Sequence, residues 1–66
     1  MMNTGTISLA AEVANKLNSL SAKGVFEVLD EYANLLTVPL FVAYLVHYCD
    51  DQTQPIVLTY MERKID

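Results

Sequence analysis

Apolar residues recur at steps of three and four from the ninth position onward: Leu9, Ala10, Val13, Ala14, Leu17 and Leu20. That rhythm predicts an amphipathic helix whose other face carries Glu12, Asn15, Lys16, Asn18 and Ser19. Thr6 or Ser8 is placed to start it, since a hydroxyl oxygen there accepts from an otherwise unpaired amide. Residues 1–5 read as a disordered lead-in. Glu12 and Lys16 stand four apart in the favourable order, which adds a few tenths of a kcal/mol.

The run at residues 18–24, Asn-Ser-Leu-Ser-Ala-Lys-Gly, predicts a break, because its Asn and Ser side chains compete for the backbone and a glycine follows. A second helix, capped by Ser19 or Ser21, is expected to run to about Leu36. Its apolar set, including Val25, Phe26, Val28, Leu29, Tyr32, Leu35 and Leu36, is wider than one stripe and predicts contact on two sides. Glu27, Asp30, Glu31 and Asn34 take the remaining face.

Thr37-Val38-Pro39 predicts the start of a third helix, with threonine as the cap and proline in the first turn. That helix, residues 38–49, is apolar all round and must be enclosed. Residues 50–54, Asp-Asp-Gln-Thr-Gln, predict a polar loop. For the segment after Pro55 two readings stand. Ile56, Val57, Thr59 and Tyr60 favour a strand, whereas a helix capped by Thr53 puts Ile56, Val57, Tyr60, Met61 and Ile65 on one stripe. The helix agrees better, since no second strand is apparent to pair with. The expected fold is therefore all-α: a single domain over residues 1–66, a small bundle of three to four short helices.

Length sharpens this picture. Sixty-six residues make one small core, yet 53% of them are apolar. The excess concentrates in the stretch 35–49, so a dimer through the third helix is expected. Phe41, Tyr44, Leu45 and Tyr48, flanked by Leu40, form the expected interface; two copies would pack antiparallel about a two-fold axis. Residues 32–49 carry no formal charge, a length that just reaches a membrane span. Pro39 near its middle, the polar Asn34, Thr37 and His47, and acidic flanks without a basic anchor argue for a buried soluble helix instead.

Four basic residues stand against eight acidic ones, a net charge of −4. Residues 25–51 hold five of those acids (Glu27, Asp30, Glu31, Asp50, Asp51) and no base, so nucleic acid is disfavoured as a partner. The one cysteine, Cys49, has no partner for an internal disulfide, which predicts a cytoplasmic location and a buried, inert thiol. No signal peptide is expected, because residues 1–9 lack a basic start and a continuous apolar run.

Candidate chemistry is sparse. His47 and Cys49, two apart on a helix, splay by about 200° and cannot pair within one chain. The cluster His47, Cys49, Asp50, Asp51 has no second ligand group for zinc, and Asp50-Asp51 lacks the spacing of a calcium loop. No enzyme, cofactor or metal is expected. Two functional readings remain. The first is a small acidic, non-enzymatic regulator, inhibitor or adaptor that binds another protein, using Glu27, Asp30 and Glu31 as an acidic partner-binding face. The alternative is a helix-turn-helix DNA-binding regulator with helices over about 8–18 and 21–36, contacting DNA through Ser21, Ala22 and Lys23. Few basic residues and a break longer than the usual turn weigh against it.

Overall fold

The structure, a computed structural model, describes residues 4–65, with side chains from residue 5 to residue 63. Four α-helices follow one another: α1 (Thr4–Leu17), α2 (Ala22–Glu31), α3 (Pro39–Tyr48) and α4 (Thr53–Ile65), with a 3-10 helix over Ala33–Thr37 between α2 and α3. No strand occurs among the described residues. The all-α expectation holds, and the segment after Pro55 is a helix. Val57 and Tyr60 are buried at helical spacing in it, and the strand reading is corrected because nothing lies alongside to pair with.

The first helix starts earlier than its hydroxyls suggest. Thr6 and Ser8 lie inside α1 instead of capping it, and Gly5 is helical, so only residues 1–3 of the expected lead-in fall outside the described residues. The side chain of Ile65, expected on the apolar stripe of α4, also lies outside them. Ala10, Val13, Ala14 and Leu17 form the buried face of α1, the i, i+3, i+4, i+7 pattern of a helix lying on a core. Two alanines on that face let a neighbouring helix approach closely. That neighbour is α3, and α1 against α3 is the most extensive interface. The second is α2 against α4.

The first break is shorter than expected, residues 18–21, and Gly24 belongs to α2. Ser21 is the cap, with extended backbone and a hydroxyl that accepts from the Gly24 amide at 3.4 Å. Leu20 folds back over this first turn; a Cβ at Gly24 would stand 3.2 Å from the Leu20 Cβ.

The expected run of α2 to Leu36 is corrected. The Tyr32 amide is shared between the Leu29 carbonyl (3.1 Å) and the Val28 carbonyl (3.3 Å), and there the chain tightens from α to 3-10 geometry. Two pressures account for this. Pro39 restricts Val38 to extended backbone (φ −97°, ψ 110°), so no helix can continue into α3. The tighter turn also turns Leu35 and Leu36 onto the core, against which both pack. Thr37 does not cap α3 either: its hydroxyl donates back to the Asn34 carbonyl at 2.9 Å, and Val38 holds the cap position without a side-chain bond. Pro39 opens α3 as expected.

The polar loop is better described as a clasp. The Asp50 side chain accepts from the amides of Gln52 (3.1 Å) and Thr53 (2.8 Å), while its carbonyl accepts the Gln54 amide at 3.0 Å. Asp50 is thus the cap of α4, the role expected of Thr53, which is instead buried at 3% exposure. Placed between two helices, its negative charge serves the positive end of α4. The last carbonyls of α3 find side-chain donors from both neighbours. Asn18 donates to Tyr48 (3.3 Å) and accepts from the Asp50 amide (2.9 Å), and Gln54 donates to Val46 (3.0 Å) and Cys49 (3.2 Å).

The core collects Val25 and Leu29 from α2, Phe41 and Leu45 from α3, and Val57 and Tyr60 from α4 around the α1 face. The radius of gyration, 10.9 Å, equals the roughly 11 Å of a fully collapsed chain of this length. One chain therefore closes a core by itself.

Candidate protein-interaction surface

Burial divides the expected dimer interface in two. Phe41 and Leu45 are fully buried in the protein's own core, facing α1, so they offer no surface to a second copy. Tyr44 is half-buried, Leu40 likewise, and Tyr48 stands 43% exposed. The expectation that all four share one outward face is corrected by about a quarter-turn. What α3 presents to solvent is the stripe Leu40, Ala43, Tyr44 and His47, again at i, i+3, i+4, i+7, with Tyr48 beside its end.

This stripe is ordered by its own rings. Tyr44 and Tyr48 stack at 6.2 Å between centroids and 24° between planes, and His47 meets Tyr48 edge-on at 5.1 Å and 74°. A shallow recess opens among Ala43, Tyr44 and His47, where the alanine leaves room between larger neighbours. No charged residue occurs from position 32 to 49. An uncharged aromatic surface of this kind suits contact with another protein.

The expected acidic face is intact: Glu27, Asp30 and Glu31 are all exposed on α2. Asp30 does more than face solvent, because its carboxylate accepts the hydroxyl of Tyr60. Tyr60 in turn packs edge-on against Phe26, with centroids 5.2 Å apart and planes at 89°. Burial first, and then the bonded Asp30 carboxylate, push the Tyr60 phenol up to about 12. Beside this chain of contacts lies an apolar groove lined by Ala22 and Phe26 of α2 and Pro55, Ile56 and Thr59 of α4. Sequence reasoning missed the groove, although its signal was present in the breadth of the α2 apolar set, where Ala22 and Phe26 fall beside the stripe that faces the core.

Ser21, Ala22 and Lys23 are exposed at the start of α2, but α1 packs on α3 far more than on α2. Cys49 is buried while His47 is exposed, so the two cannot meet even across a dimer axis without opening the core. Burial, and then the charge of Asp50, push the Cys49 thiol up to about 11, which keeps it protonated at neutral pH and poorly nucleophilic. Among the described residues, no three His, Cys, Asp or Glu side chains gather closely enough to hold a metal ion. No helix there is long and apolar enough to cross a membrane. Compared with known proteins, the chain matches no family, no curated protein and no solved structure.

Proposed function

We propose that the protein is a non-enzymatic regulator or adaptor that binds another protein through its helical surfaces, and that it does so as a homodimer joined along the outer stripe of α3. The observation that carries this reading is the uncharged stripe Leu40, Ala43, Tyr44 and His47 on a chain whose net charge is −4. Two copies meeting through the exposed face of α2 would bring Glu27, Asp30 and Glu31 of each together, whereas along α3 no charges meet. Ala43 at the middle of the stripe allows two helices to come close about a two-fold axis. A cytoplasmic setting agrees with a lone cysteine in no disulfide.

Light scattering coupled to size exclusion tests the dimer. Wild type should run at twice the chain mass at micromolar concentration, and Ala43→Glu or Tyr48→Glu, both at exposed positions, should give folded monomers. A wild-type chain that is itself a folded monomer at that concentration overturns the dimer. The helix-turn-helix alternative gains a four-residue connection of suitable length, residues 18–21. It lacks the close α1–α2 packing that such a motif needs, and only Lys23 is basic near the start of α2.

A further inference from the structure

His47 is the one side chain between residues 32 and 49 whose type exchanges a proton between roughly pH 5 and 8. It stands in the middle of the uncharged α3 surface, exposed, lining the shallow recess with Ala43 and Tyr44. Among the described residues its ring contacts Tyr48 edge-on, and no hydrogen bond or ion pair reaches the imidazole.

The charges of the neighbouring elements lie elsewhere. His47 stands about 200° round α3 from Leu45, which is buried against α1, so the exposed Glu12 and Lys16 of α1 belong to the helix on its far side. The 3-10 helix Ala33–Thr37, also packed on α3, carries no charge. α4 reaches the end of α3 through the uncharged Gln54. Of the two acids that follow α3, Asp50 is taken up by the amides of Gln52 and Thr53, and Asp51 is exposed beyond the helix end. In antiparallel order with Ala43 at the crossing, the residue four positions after it meets one three or four before it. His47 then falls against Leu40 of the second copy, where water is excluded and the stripe itself supplies no acid. Burial of an imidazole without an acid disfavours its charged form.

We infer that the α3 homodimer is controlled by pH through His47: neutral imidazoles let the two stripes close on one another, and protonated ones hold them apart. This rests on the α3 dimer. The rest of the surface acts in the opposite direction, since copies carrying −4 each repel less as their acids take up protons. A dimer that weakens towards acid pH therefore reports the seam and not the overall charge.

Sedimentation equilibrium of the 66-residue chain at pH 8 and pH 5.5, with circular dichroism at both, tests it. Exclusion of one proton per copy makes the dissociation constant rise with the square of the proton concentration once histidine titrates, roughly tenfold to 100-fold over this interval. His47→Gln, neutral at both pH values and at an exposed position, should dimerise with a constant that does not change. His47→Leu gives the same comparison should His47→Gln fail to dimerise at pH 8. A wild-type dimer whose constant stays level or falls at pH 5.5 overturns the control by pH and leaves the dimer standing. An equal rise in the His47 variant overturns it as well, because another group then titrates. So does dissociation that occurs only together with loss of helical circular dichroism. A chain that is monomeric at both pH values removes the inference together with the α3 dimer.

Discussion

Tyr60 joins a buried ring, an aromatic neighbour and a distant carboxylate, and its ionisation shows what that arrangement stabilises. The folded chain holds the phenol neutral up to about 12, against an ordinary value of 10. A raised folded value means that the contribution is fully present below pH 10 and is lost as pH rises towards 12. Cys49 behaves the same way between its ordinary 9 and about 11. Denaturant melts across alkaline pH should therefore show stability falling from about pH 9, with Cys49→Ala removing the earlier part of the decline and Tyr60→Phe the later part. At neutral pH, Tyr60→Phe should cost about 1 kcal/mol, the usual net worth of one hydrogen bond. An alkaline decline identical in Tyr60→Phe and wild type refutes this role. The sequence placed Tyr60 on an apolar stripe through its helical spacing. Its bond to Asp30 was not legible, because that pairing joins residues thirty positions apart that only tertiary packing brings together.

The helices themselves were legible where a stripe and a stop signal agreed, and misjudged at junctions whose partners lie elsewhere in the chain. The buried face of α1 and the role of Pro39 follow directly from spacing and from proline geometry. The end of α2 did not, since the tightening after Glu31 depends on where Leu35 and Leu36 must pack. Asp50 and Asn18 make the same point. Both were read as break residues, yet Asp50 caps α4, and Asn18 closes the end of α3 by donating to Tyr48 and accepting from Asp50. Asn18→Ala removes both bonds and leaves a backbone amide and a carbonyl to water. The expected loss is about 1–2 kcal/mol, or a fall in Tm of roughly 4–8 °C per kcal/mol for a domain this small. Thermal melts followed by circular dichroism check it; an unchanged Tm shows that the clasp adds nothing. Hydrogen bonds donated by Thr53, first from its side chain and then from its amide, hold the Asp50 carboxyl below its usual value. That contribution is present above the ordinary carboxylate pKa of 3.8 and fades as pH falls below it.

At the scale of the whole molecule, the surplus of apolar residues divides between two uses. Phe41, Leu45 and Cys49 complete a core within one chain, while Leu40, Ala43 and His47 stay outside it and Tyr44 packs against its edge. Amino-acid counts show the surplus but not this division, which depends on the direction in which α3 meets α1. The division has a thermodynamic consequence. In an obligate dimer no folded monomer survives, and blocking the interface unfolds the chain; here the core is closed before any second copy arrives. Ala43→Glu should therefore remain folded and unfold in one cooperative step, with a midpoint that does not move with protein concentration. The wild-type midpoint should rise with concentration, because association stabilises only the folded state. A wild-type midpoint independent of concentration removes the α3 stripe as a self-association surface. An Ala43→Glu chain unfolded at every concentration shows instead that α3 needs a second copy to hold the core closed.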